Sequence, residues 1–323
     1  MAHVLEVKDL KTHFFTSKGV LKAVDGVSFD IKEKEAVGLV GESGCGKSTV
    51  AFSIMRLIPN PPGKIVDGAI LLHGKDILKC SDKELHQIRG KEISMIFQDP
   101  MTFLNPVMRI ENQIVEVLKL HQGMNNKDAK IRCLELLKLV RMPDPERVLK
   151  AYPHQISGGM KQRSLIAMSL ACNPSVLIAD EPTTALDTTI QVQILNLIED
   201  LKRDLGTSLL LVSHDLGIVA EICDRINVMY AGKNVEKGNV EKVYSNPLHP
   251  YTRGLIDSIL TLNAKVDKIP TIDGVVPSLI NPPKGCKFYD RCSSSMDVCK
   301  SNEPPFFQPE SEHEVACWLY EAT

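Results

Sequence analysis

The chain has 323 residues, 43% hydrophobic and 24% charged, enough to bury the core of one large domain with an appendage. Its 38 Lys and Arg against 40 Asp and Glu leave a formal charge of -2, so no global field favours nucleic acid or an anionic bilayer. No basic leader opens it and no apolar run approaches the roughly 18 residues of a spanning helix, so it is expected to be neither exported nor membrane-spanning.

Val4–Val7 and Ala23–Ile31 alternate apolar and polar residues around Gly19 and Gly26, the pattern of antiparallel strands with one solvated face. Ala36–Val40 is a short apolar run followed by glycines, as in a strand buried on both faces, and Lys47–Leu57 then runs helical. Ser81 with Glu84 forms a capping box for a helix reaching Arg89, after which Ile93–Phe97 returns to strand. Between Asp99 and Cys172 the strand signal disappears. Ile114, Val117 and Leu118, then Ile131, Leu134 and Leu137, recur at helical spacing between breaks at Pro106, Gly123, Pro143 and Pro153, which predicts a helical lobe at about 99–172. Strands resume at Val176–Ala179, Ser208–Val212 and Arg225–Met229, alternating with helices at Ile190–Leu205 and Leu216–Cys223, so a parallel sheet covered on both faces is expected. Beyond about Pro247 the chain reads as proline-rich and irregular.

Gly41-Glu42-Ser43-Gly44-Cys45-Gly46-Lys47-Ser48-Thr49 is a Walker A phosphate loop in its confirming context, after a buried strand and before a helix. Its glycines let successive N–H groups turn inward around phosphate oxygens, and the helix N-terminus adds partial positive charge. Lys47 is expected on the β- and γ-phosphates and Ser48 on Mg²⁺. Cys45, beside oriented N–H groups and Lys47, is expected to have a lowered thiol pKa and to react readily. Val176–Glu181 is an apolar strand ending in two carboxylates, a Walker B pattern in which Asp180 holds Mg²⁺ through water and Glu181 polarises an attacking water. Ser157, Gly158 and Gly159 open a helix whose free N–H groups make a second anion site.

Ile156-Ser157-Gly158-Gly159-Met160-Lys161-Gln162-Arg163, lying between Walker A and Walker B, resembles the signature motif of ABC ATPases. Met160 and Ile156 stand where that family commonly has Gln and Leu, and neither change removes a phosphate donor. The resemblance implies a RecA-like P-loop NTPase of the α/β class: a mixed sheet with an antiparallel β subdomain, a helical subdomain and an irregular cysteine-containing C-terminal extension. It further implies that Phe14, or Phe15, stacks on adenine. Gln98 is then the Q-loop glutamine near Mg²⁺ and the attacking water, and Asp187 in Ala185-Leu186-Asp187 belongs to an interface D-loop. By the same resemblance His214 is expected to be the switch histidine on the γ-phosphate.

Pro247–Arg253 and Gly285–Cys292 are similar to the C-terminal region of dipeptide and oligopeptide importer ATPases of the OppD/DppD type. This implies an ATPase domain at 1–246, an extension at 247–323, and a role as the ATP-hydrolysing subunit of a peptide importer at the cytoplasmic face of the membrane. The implied partners are a second ATPase cassette (a paralogue, with a homodimer the alternative), two permeases and, indirectly, a substrate-binding protein; no nucleic-acid partner is expected. A permease helix is expected to dock near Phe103–Val107. A nickel or other small-solute importer is the alternative, with a non-transport ABC ATPase behind it.

Five of the nine cysteines (Cys45, Cys80, Cys133, Cys172, Cys223) are scattered through core-like segments, as reduced cytosolic thiols are. The other four, Cys286, Cys292, Cys299 and Cys317, crowd a tail too short to bury an adequate core alone. Four thiolates suit tetrahedral zinc or a cubane cluster, and unligated thiols are the third option. Spacings of five, six and seventeen intervening residues contain no Cys-x-x-Cys knuckle, which tilts the choice toward iron and sulfur. The family resemblance implies a [4Fe-4S] cluster on these four residues, alongside ATP and Mg²⁺.

Overall fold

The computed structural model describes residues 2–184, 186–258 and 272–321. Backbone contacts divide the chain into two compact units: Met1–Leu5, Ile31–Glu35 and Asp76–Leu210 form the first, and Glu6–Asp30, Ala36–Lys75 and Leu211–Thr323 the second. Among the described residues no helix is long and apolar enough to cross a membrane.

The N-terminal segment forms long strands at His3–Thr16 and Gly19–Lys32, joined only by Ser17 and Lys18, in a four-stranded sheet with Gly63–Leu72 and Lys75–Asp76. In the second unit a further sheet runs in the order Phe307–Glu310, His313–Val315, Lys233–Asn239, Arg225–Tyr230, Ala36–Val40. Its first three pairings are antiparallel and the last is parallel, so the sheet is mixed. Every residue of Ala36–Val40 is buried, as its unbroken apolar run requires.

The tail is therefore not simply irregular. Its strand His313–Val315 pairs with Lys233–Asn239 in the register Glu236↔Val315, Lys237↔Glu314, Gly238↔His313. A buried polar knot holds that pairing. The Glu236 carboxylate, fully buried, accepts the N–H groups of Leu248 and His249 at 2.8 Å each and lies 2.7 Å from His313 Nε2. A carboxylate removed from water survives only with such partners. Turn-rich spacing hides these strands because they are short and contain Pro309 and Glu310.

In the first unit Ile93–Ile96 pairs parallel with Val176–Asp180, with Ile96 opposite Ala179. The stretch from 99 to 172 holds helices at Pro100–Phe103, Ile110–Gln122, Asn126–Leu139, Pro145–Lys150 and Gly158–Ser169. Asn125 caps the third of these by accepting from Lys127 and Asp128 N–H. Its buried face is Ala129, Cys133, Leu136 and Leu137, and Ile131 is 53% exposed, so the stripe expected through Ile131 is displaced around the helix. The i, i+4, i+7, i+8 spacing from Ala129 is an equally good helical stripe, and packing decided between them.

Candidate functional site

In the second unit the phosphate loop joins Ala36–Val40 to the helix Lys47–Ile54. Gly41 and Gly46 have φ of +151° and +107°, and a Cβ on them would lie 2.2 Å from Met229 O and 2.3 Å from Ala23 O. Only glycine fits at either point. Gly46 caps the helix without a side-chain acceptor, its carbonyl accepting the Val50 N–H at 3.0 Å. Lys47 is buried and folds back over the loop, its Nζ donating to Gly41 O at 2.7 Å and Glu42 O at 3.1 Å. Ser43 and Gly44 are exposed, Ser48 and Thr49 half-buried.

Cys45 corrects the sequence expectation. Its thiol is fully buried, and burial raises its pKa despite the opposing influence of Lys47, whose Nζ lies 3.9 Å from Sγ. The desolvation that spacing does not reveal outweighs the nearby cation. Of the two aromatic alternatives, Phe14 is half-buried against Gly63, and Phe15 is 52% exposed. His214 is exposed just beyond the buried strand Ser208–Ser213, and Asp215 caps the helix that follows.

The first unit brings Gln98 and Glu181 together. Each stands two residues past the matched pair Ile96 and Ala179, so the parallel register delivers both side chains to one strand end. Gln98 Nε2 donates to Glu181 Oε2 at 3.0 Å, and Thr184 Oγ1 donates to the same oxygen at 2.9 Å. Glu181 holds φ at +44°, a left-handed conformation uncommon for a non-glycine residue, whereas Asp180 ends the strand buried. The two acids thus occupy different environments, Asp180 buried and Glu181 half-buried beyond the strand end.

Ser157 caps the helix Gly158–Ser169, accepting from Met160 N–H at 3.4 Å. A Cβ on Gly159 would lie 2.9 Å from Ile190, so this helix start packs on the helix Thr188–Leu205, which Asp187 caps. Ala185 lies outside the described residues. One residue of this region escaped sequence reasoning: Gln162, buried, donates Nε2 to Pro182 O at 2.7 Å and ties the signature helix to the loop after Glu181. Its place in the quoted motif was the available signal.

The nine cysteines are free thiols. In the tail, Cys286 N–H donates to Cys299 O at 2.8 Å. Burial raises the thiol pKa of Cys286 and of Cys317 to about 11 each, and neighbouring thiols of the same set push further in that direction. Cys292 is raised by burial and by Cys299. Cys286, Cys292 and Cys317 are each influenced by another thiol of the set. Among the described residues, however, no three or more His, Cys, Asp or Glu side chains form a group that could hold a metal ion, so the expected four-ligand centre is not drawn together.

A glycine loop folding a lysine back between buried strand and helix in one unit, and in the other a buried parallel strand ending in an Asp–Glu pair, are the marks of a P-loop nucleotide-binding protein. A family model described as ABC transporter matches residues 24–184, and one described as oligopeptide/dipeptide transporter, C-terminal region, matches 235–299. The chain is 50% identical over 321 residues to the oligopeptide transport ATP-binding protein AppD of Bacillus subtilis (strain 168), covering 99% of this chain and 98% of that one. It is 49% identical over 319 residues to the dipeptide transport ATP-binding protein DppD of the same organism, covering 99% and 95%. Among solved structures, a dimeric ATP-binding cassette in a post-hydrolysis state, bound to ADP and Pi, matches with a TM-score of 0.65 at 28% identity, covering 73% of this chain and 98% of that one. The chain belongs to the family of ATP-binding proteins of oligopeptide and dipeptide ABC transporters.

Proposed function

We propose that this chain binds MgATP and hydrolyses it to energise the import of di- or oligopeptides through two membrane permeases. The observation that carries the reading is the phosphate loop, in which Gly41 and Gly46 leave no room for a side chain and the lysine is already folded over the backbone. Its N–H groups and Lys47 take the phosphates, and Ser48 and Asp180 serve Mg²⁺. Glu181, oriented by Gln98, accepts a proton from water, and His214 senses the γ-phosphate. Residues 1–246 form the ATPase domain and 247–323 its extension. Glu181→Gln is expected to bind MgATP and hydrolyse it at least about a hundred-fold more slowly, whereas Lys47→Ala fails to bind. Equilibrium nucleotide binding and single-turnover hydrolysis separate the two; a Glu181→Gln enzyme with most of the wild-type rate rejects this base.

The Ser157-Gly158-Gly159 helix start belongs to a second nucleotide site, completed by another cassette, a paralogue or a second copy. The chain would then sit peripherally at the cytoplasmic face, with a permease segment against the exposed Phe103 and Val107. By their number and spacing, though not by their arrangement in the fold described above, the four tail cysteines suit a [4Fe-4S] cluster, with zinc the alternative, as a structural support. Anaerobic purification with iron, zinc and acid-labile sulfide analysis decides this. Iron with sulfide supports the cluster, and one zinc per chain without sulfide rejects it.

A further inference from the structure

Glu42 places a negative charge inside the loop assigned above to polyphosphate. Its carboxylate is gripped by Arg291, 249 residues away, through Nη1 to Oε2 at 2.7 Å and Nη2 to Oε1 at 3.0 Å. The remaining guanidinium donors are also engaged: Nε on Asp273 O at 2.8 Å, Nη2 on Ile272 O at 3.0 Å and Nη1 on Tyr230 Oη at 3.3 Å. The Arg291 side chain is only 5% exposed, with its Cζ 5.7 Å from the ring centroid of Tyr230 and 5.8 Å from that of Phe288. The backbone of Glu42 is tied as well, its N–H donating to the buried Tyr251 Oη at 2.8 Å. Both handles of this one loop residue are therefore held by residues beyond Pro247.

We infer that Arg291 is a positioning residue for nucleotide: it neutralises Glu42 within the phosphate loop and, with Tyr251, fixes the loop's first turn, so that the tail sets the affinity for phosphates. An uncompensated carboxylate in the loop would oppose the polyphosphate charge, and arginine compensates it at every accessible pH. The bidentate fork adds direction to that charge. A tail that served only as packing would have no reason to place a fully satisfied guanidinium there.

This inference rests on the nucleotide-binding reading, and the test keeps the two apart. Binding of a fluorescent ADP analogue with Mg²⁺ is titrated on the full-length chain, with thermal melting recorded for each variant. Arg291→Gln is expected to weaken binding about ten-fold, and the pair Glu42→Gln/Arg291→Gln to recover to within about three-fold of wild type, because the repulsion is gone. Arg291→Lys, which keeps the charge but loses the fork and the ring contacts, falls between the two, weaker than wild type by less than about ten-fold. Unchanged binding by Arg291→Gln, or a double variant no better than the single one, overturns the inference. So does a ten-fold loss in Arg291→Lys, which decides the matter if Arg291→Gln is unstable. A wild-type chain that does not bind the analogue rejects the nucleotide-binding reading itself.

Discussion

Cys45 and Glu181 illustrate how one residue's surroundings redirect what its sequence position suggests. Cys45 sits two residues from a cation, and that proximity alone favours the thiolate. Enclosure without water favours the thiol more strongly, and burial is the dominant influence on its pKa. Alkylation of Cys45 is therefore expected to be at least about ten-fold slower in the native chain than in the unfolded one, with no further slowing by MgATP. Peptide mass spectrometry after timed maleimide labelling measures this, and rapid labelling that MgATP suppresses contradicts it. Glu181 differs in kind: its left-handed backbone and its hydrogen bond from Gln98 turn the carboxylate away from the buried course of the strand that ends at Asp180.

At the scale of elements, the helix Pro250–Asp257 shows how the tail is seated. His249 caps it, Nδ1 accepting the Tyr251 N–H at 3.0 Å, while its own N–H binds the Glu236 carboxylate. The ring is 1% exposed, and burial lowers its pKa to about 4 from an ordinary 6.5, with Glu236 opposing and Arg253 reinforcing the shift. The folded state thus binds this proton less readily than the unfolded chain. Its contribution to stability is fully present above the unfolded pKa and is lost as pH falls from about 6.5 toward 4, by up to about 3 kcal/mol. Protonation would also remove the acceptor that caps the helix. His249→Asn keeps an acceptor and removes the titration, so the wild-type melting temperature should fall more steeply through that window than the variant's. Parallel slopes would show that His249 is not responsible.

At the scale of the molecule, the expected activity is that of a pair of cassettes. Specific ATPase activity of the purified chain should rise with protein concentration and rise further with a partner cassette; robust activity independent of concentration contradicts pairing. A photo-crosslinker replacing Val107, which is 80% exposed, should capture a permease in membranes holding the whole transporter. Capture from the tail alone would place the docking surface elsewhere. Much of this was legible in the chain itself. The core strands, the glycine loop and the Ser81–Glu84 capping box are local patterns, and the Gln98–Glu181 meeting follows once two short strands are paired in register. The tail strands were not legible, because Phe307–Glu310 and His313–Val315 are too short for alternation to distinguish them from turns.

The sequence by itself determined the class of protein. Glycine conformational freedom, helix caps and apolar periodicity operate within a few residues of one another, so their chemistry survives without coordinates. Only the tertiary structure decided which groups are desolvated and which distant charges meet. The buried thiol of Cys45, the Glu236 knot under the tail and the Arg291 grip on Glu42 all depend on contacts between segments far apart in the chain. Burial and pairing are properties of the packed molecule, and no local spacing encodes them.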